Sequence, residues 1–143
     1  MLDNYFSCYS LEIGRIAEMD EKTFELISKL NNSSLTFGAA KKLSEPNRTE
    51  KLFEIIESSL LKGFRSFAVE VAESICEEQK KRAFEIILDY TILKGHLEDA
   101  IKTATCLGRP LTIDEVIKIL EIQISSERED DAKETAMLIL REY

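Results

Sequence analysis

Leu61-Lys62-Gly63-Phe64-Arg65-Ser66-Phe67-Ala68-Val69-Glu70-Val71-Ala72-Glu73-Ser74-Ile75 lies over Leu93-Lys94-Gly95-His96-Leu97-Glu98-Asp99-Ala100-Ile101-Lys102-Thr103-Ala104-Thr105-Cys106-Leu107 without a gap. The offset is 95 − 63 = 32 residues. A further step of 32 reaches Ala132, Ala136 and Ile139, and a step back from Ala72 and Ile75 reaches Ala40 and Leu43. A fixed period in this range is the signature of a helical repeat array, in which each unit buries its apolar face against its neighbours.

The residue types explain the period. Alanines four apart share one face of a helix and let a neighbouring helix approach closely. Ile75, Leu107 and Ile139 fill the space that remains. Gly63 and Gly95 stand where a first helix must stop, since glycine accepts the left-handed conformation that ends one. Outward from this stretch, Glu21-Lys22-Thr23-Phe24-Glu25-Leu26-Ile27 returns as Glu50-Lys51-Leu52-Phe53-Glu54-Ile55-Ile56 and again around Phe84. The offsets are 53 − 24 = 29 and 84 − 53 = 31, which predicts loops of unequal length between constant helices.

The expected helices cover residues 21–31, 35–43, 47–62, 65–76, 79–94, 97–107, 113–124 and 126–141. Asn47-x-x-Glu50, Thr112-x-x-Glu115 and Ser126-x-x-Glu129 read as capping boxes at three of the starts. Phe6, Tyr9, Ile13, Ile16 and Ala17 form one apolar stripe over residues 4–19, expected to be a helix that caps the core. The fold class is therefore all-α: a short right-handed α-solenoid of about four antiparallel helix pairs in residues 21–143, plus an N-terminal capping helix in residues 1–20.

Composition agrees with this class. Of the 143 residues, 44% are apolar and 32% charged, and two prolines and five glycines leave little punctuation for a fold of short strands. The net charge of −8 disfavours nucleic acid and anionic membrane surfaces and favours a basic protein or peptide partner. Three cysteines, Cys8, Cys76 and Cys106, have no paired spacing, so a reducing compartment is expected. The opening residues lack the basic and apolar regions of a signal peptide, and no apolar run is long enough to span a bilayer, so cytoplasmic residence is expected.

Gly63 and Gly95 each precede an alanine by five residues, at Ala68 and Ala100. Large apolar residues lie eleven before each, at Leu52 and Phe84, and further ones eight before, at Ile55 and Ile87. This pattern resembles the tetratricopeptide repeat over roughly residues 21–142. The departures are a period of 32 rather than about 34, large residues Ile56, Leu88 and Leu120 where the family prefers a small one, and Ala72, Ala104 and Ala136 in place of its second-helix aromatic. The resemblance implies a non-catalytic adaptor or chaperone-like module that holds a peptide or protein segment in a groove lined by the first helices. Size and acidity are similar to the tetratricopeptide chaperones of bacterial type III secretion.

Glu57, Asp89 and Glu121 recur at steps of 32 and form an acidic column that, on this resemblance, faces the groove. Glu50 and Asp114 would stand one to two turns away, with Arg82 interrupting them, and Leu60, Ile92 and Ile124 would form a groove floor. The same residues also read as solvated helix surface and core, respectively. His96 reads as a turn residue without a catalytic partner, and Cys76 and Cys106 as small buried or half-buried apolar groups. No zinc spacing, phosphate loop or nucleophile motif occurs, so no catalytic residue, cofactor or metal is expected. Two other classes remain open: a small-molecule binder or enzyme with a pocket at the end of the array around His96, and a structural self-associating unit.

Overall fold

The computed structural model describes residues 19–143; the helix expected over residues 4–19 lies, apart from Met19, outside them. Every regular element among the described residues is an α-helix, and there are eight: α1 Glu21–Ser28, α2 Ser33–Ala40, α3 Asn47–Leu61, α4 Arg65–Glu73, α5 Glu77–Leu93, α6 Leu97–Cys106, α7 Ile113–Ser125 and α8 Glu129–Glu142. By its contacts the chain divides into two units, Met1–Ile55 and Ile56–Tyr143, with the boundary inside α3.

In the first unit α1 and α2 pack together as a hairpin. Asp20 caps α1, its carboxylate accepting from Thr23 N–H at 2.7 Å, and that backbone hydrogen bond lowers its pKa. Asn32 caps α2 by accepting from Leu35 N–H at 2.9 Å. Phe24, Phe37, Ala39, Ala40 and Leu43 are buried. The start of α3 departs from the expected capping box. Glu45, not Asn47, holds it: its carboxylate accepts from Thr49 N–H at 3.0 Å and Thr49 Oγ1 at 2.8 Å. The Thr49 hydroxyl is the main reason that the Glu45 pKa is lowered. Asn47 instead donates through Nδ2 to Glu21 at 3.2 Å.

In the second unit α5 pairs with α6 and α7 with α8, while α4 and α7 both pack on α5. Leu88 and Ile92 of α5, Ala100 and Ala104 of α6, and Leu111, Val116 and Ile119 form one buried cluster. Leu111, Val116 and Ile119 belong to the following hairpin and its lead-in, so successive hairpins share this interior. Thr112 starts α7 with a complete capping box, both reciprocal bonds being present. Ser126 does not start α8. Its N–H donates to Ile122 carbonyl at 2.9 Å and so closes α7, and Arg128 precedes α8 without a side-chain cap.

One turn recurs throughout. Asn31, Gly63, Gly95 and Glu127 all have left-handed φ, at 56°, 82°, 71° and 59°, and each lies 32 residues after the last. After three of them the next residue reaches back across the turn: Phe64 N–H to Ser59 carbonyl at 2.8 Å, His96 to Thr91 at 3.0 Å, Arg128 to Gln123 at 2.9 Å. This six-to-one bond closes a helix in the Schellman manner. The second helices then begin alike, with Thr36, Ala68, Ala100 and Ala132 N–H donating to the carbonyls of Asn32, Phe64, His96 and Arg128 at 2.9–3.0 Å.

The connections do differ in length, six residues at 41–46 and 107–112 against three at 62–64, 74–76, 94–96 and 126–128, but the left-handed turn residues keep the 32-residue step. The turns place Phe24 at the station of Ile56 and Leu88, and Phe84 at the station of Leu52 and Val116, so the 29- and 31-residue offsets of the Phe-Glu-x-Ile phrase are a slip of wording against a constant frame. Leu52, Phe84 and Val116 are buried, whereas Phe53 is only half-buried. The second-helix alanines behave as their spacing predicts: Ala40, Ala68, Ala72, Ala100, Ala104 and Ala132 are buried, and Ala136 is half-buried.

Candidate functional site

The acidic column is carried by three first helices, Glu57 on α3, Asp89 on α5 and Glu121 on α7. Each stands six residues before a left-handed turn residue. The reason they face water is helical phase. On α3 and α5 the residues one before, Ile56 and Leu88, and three after, Leu60 and Ile92, are buried, which leaves the carboxylate on the border of the core-facing stripe; on α7 Leu120 is half-buried and Ile124 exposed. All three carboxylates are exposed, and among the described residues none of them has a hydrogen-bond or ion-pair partner.

Glu50 and Asp114 are exposed as well, Glu50 in the first turn of α3 and Asp114 in the first turn of α7. Both positions suit the positive end of a helix dipole, so each has a local reason to be acidic apart from any ligand. The apolar row divides. Leu60 and Ile92 are core residues, 3% and 5% exposed, and cannot form a groove floor. Ile124, at the same station in the last hairpin, is 61% exposed.

A cation that spacing did not single out sits in this region. Arg109, in the loop before α7, meets Glu115 with both terminal nitrogens, Nη1–Oε1 3.0 Å and Nη2–Oε2 3.0 Å. These hydrogen bonds raise the Arg109 pKa, and the negative charges of Glu85 and Asp89 on α5 add to the rise. The Arg109 hydrogen bond in turn lowers the Glu115 pKa, helped by Thr112 N–H. Asp89 thus contributes, as the smallest of these influences, to the field at Arg109, whose direct partner is Glu115. Arg109 lies in the Gly108-Arg109-Pro110 break before α7, and a loop residue outside the 32-residue frame leaves no periodic trace.

His96 is about half exposed at the α5–α6 turn, its Nδ1 3.9 Å from Asp99 Oδ2. A hollow of about 260 Å³ beside it is lined by Glu98, Asp99, Gln123, Arg128, Asp131 and Glu134, among others. Two of these polar groups are already engaged. Gln123 Nε2 donates to Gly95 carbonyl at 2.9 Å while its Oε1 accepts from Thr135 Oγ1 at 2.6 Å. Arg128 donates to Lys94 carbonyl and to Gly95 carbonyl, each at 2.8 Å, and pairs with Asp131 at 3.1 Å. The last hairpin thus clamps the turn of the one before it. Cys76 is half-buried as expected, but Cys106 is exposed, because it falls at the end of α6 past the last buried alanine.

Among the described residues no group of His, Cys, Asp and Glu is arranged to hold a metal ion, and no helix is long and apolar enough to cross a membrane. Set against known protein families, curated proteins and solved structures, the chain matches none of them.

Proposed function

We propose that this chain is a non-catalytic protein-interaction module of tetratricopeptide-like hairpins, acting in the cytoplasm, whose first helices present an acidic wall to a basic peptide or protein segment. The observation that carries the reading is the set Glu57, Asp89 and Glu121: exposed carboxylates with no salt bridge to a described residue, held at one station of three consecutive first helices. Unpaired like charges at a fixed repeat are poor for the isolated chain and useful to a cationic ligand, which they attract and orient. The recurring left-handed turns at Asn31, Gly63, Gly95 and Glu127 support a repeat of hairpins as the scaffold. The inference from scaffold to binding is an analogy between folds, and the charge pattern gives it chemical content.

The test is affinity capture from the native cell, at low and high salt, with the wild-type chain and with Glu57→Lys/Asp89→Lys/Glu121→Lys. The wild type should retain basic partners that high salt releases, because screening weakens exposed charge contacts. The triple variant should lose them. Each single reversal should lose less than the triple variant. Unchanged capture by the triple variant would end the proposal.

A further inference from the structure

Two hollows lie beside successive hairpin turns. The first, of about 460 Å³, is lined by Gly63, Phe64, Arg65, Ser66, Phe67 and Asp99. The second is the hollow of about 260 Å³ beside His96. There Gly95, His96, Leu97, Glu98 and Asp99 take the stations of the first five, 32 residues on, and Asp131 takes that of Asp99. Asp99 lines both hollows and is the wall they share. The helices around them are neighbours. Arg65 Nη2 of α4 donates to Thr103 Oγ1 of α6 at 2.6 Å, and Leu138 and Ile139 of α8 pack on the cluster that holds Ala100 and Ala104 of α6. The two hollows therefore make one groove along the turn edge, wholly within the second unit.

The frame is shared but the chemistry is not. The first hollow offers aromatic surface, Phe64 being 52% exposed and Phe67 half-buried, and apolar surface left in water favours an apolar occupant. Its cation is short of acceptors. Among the described residues the one hydrogen bond of Arg65 is that to Thr103, and its Nε is buried with no partner. The second hollow is acidic. Glu98 and Asp99 stand where the first has Ser66 and Phe67, and Asp131 and Glu134 complete the wall. Asp131 is paired with Arg128 and Glu98 with Lys102. Asp99 has His96 alone, at 3.9 Å, and Glu134 has no partner among the described residues. Asp99 suits the start of α6, but Glu134 stands beyond the first turn of α8, where the helix dipole gives no reason for an acid.

We propose that this groove binds an extended segment of a partner protein that carries an apolar side chain and, about three residues from it, a lysine or arginine. The apolar side chain lies against Phe64 and Phe67. The cation reaches Asp99 and Glu134. A main-chain carbonyl of the segment supplies the acceptor that the Arg65 guanidinium lacks. The spacing follows from the scaffold, because neighbouring helices pack about 8–10 Å apart, the reach of about three residues of extended chain. Charge selects the same occupant. Asp99 borders both hollows and repels an acidic segment from either, and the net charge of −8 acts in the same direction. The groove shares no residue with the wall of Glu57, Asp89 and Glu121, and it chooses its ligand by an apolar anchor as well as by charge.

The experiment is selection of random linear peptides, displayed on phage, against the full chain, followed by fluorescence anisotropy of the selected peptides made synthetically. The selected sequences should share an apolar residue and a lysine or arginine about three positions apart. Phe64→Ser should weaken their binding about tenfold by removing the apolar contact, and Glu134→Lys about tenfold by reversing the charge. Both residues are exposed, so neither variant should alter the circular dichroism or lower the urea midpoint. Glu57→Lys/Asp89→Lys/Glu121→Lys should bind these peptides as the wild type does. A selection that yields no peptide overturns the proposal. So do peptides without the pattern, and peptides that Phe64→Ser and Glu134→Lys bind as tightly as the wild type. Peptides lost to the triple variant but kept by these two belong to the wall of first helices, which overturns this proposal and leaves that reading standing.

Discussion

Replacing Gly95 by alanine should destabilise the chain far more than the same change at Gly63, although the two glycines occupy the same turn of successive hairpins. Both have left-handed φ, 71° and 82°, so both variants incur the cost of placing a Cβ in that region, about 1–2 kcal/mol. At Gly63 that is all, because a Cβ there meets nothing within 4 Å. At Gly95 the new carbon would stand 2.9 Å from Arg128 Nη1 and 3.0 Å from Ile122 Cγ2. Arg128 must then withdraw from the carbonyls of Lys94 and Gly95. A hydrogen bond from a charged group contributes about 1.5–3 kcal/mol when sheltered. With the Arg128 side chain 30% exposed, the lower end, roughly 1 kcal/mol after screening, is appropriate. Displacing Ile122 adds about 1 kcal/mol of overpacking. The expected total is about 3–4 kcal/mol for Gly95→Ala against about 1–2 kcal/mol for Gly63→Ala. Urea unfolding followed by far-ultraviolet circular dichroism reads the difference directly, as two midpoints at a shared slope. Equal losses at the two sites would refute the claim that the last hairpin clamps the preceding turn.

Glu127→Gly should raise stability by about 1 kcal/mol, since the fourth turn holds a side chain at φ 59° where the two before it have glycine; a urea midpoint at or below wild type would count against it. Glu115→Gln should cost up to about 1 kcal/mol at neutral pH by removing the charge that pairs with Arg109. Because the folded chain holds the Glu115 carboxyl below its ordinary pKa, this stabilisation is complete above the ordinary carboxylate range and is lost as the pH falls through the lowered value. The gap between wild type and variant, measured as urea midpoints from neutral to acidic pH, should therefore close on acidification. A gap that stays constant would show that the charge on Glu115 is not what stabilises.

Much of the helical frame was legible because glycine and alanine report backbone and packing needs directly. Gly63 and Gly95 marked two of the four left-handed turns, and Thr112 and Glu115 marked a start that the structure completes bond for bond. Asn31-Asn32-Ser33-Ser34 also reads as a turn, but the one at Glu127 was hidden. Glu127 has no preference for left-handed φ, and its conformation follows from the hairpin around it, so the local sequence suggested instead that Ser126 opened a helix. Glu45 was missed as a cap because a glutamate reaching Thr49 falls outside the serine, threonine and asparagine patterns that mark such positions. The candidate wall was legible as spacing but not as surroundings. Nothing in the 32-residue period revealed that Leu60 and Ile92 are sealed in the core while Ile124 is open, or that Arg109 stands in the field of Asp89. Those facts depend on which hairpin has a neighbour and on a loop that belongs to no repeat.

The bonds from Gln123 and Arg128 to Gly95 carbonyl run in one direction along the chain, from a later hairpin to the turn of an earlier one. Such a linkage resembles a latch held from beyond. If α8 frays, Arg128 and Thr135 go with it. The Gly95 carbonyl then loses one donor outright, and the other, Gln123, is left without the hydroxyl that positions it. Loosening at the tail would in this way be felt a full hairpin inward, at the loop that carries His96, without any rearrangement of the helices between.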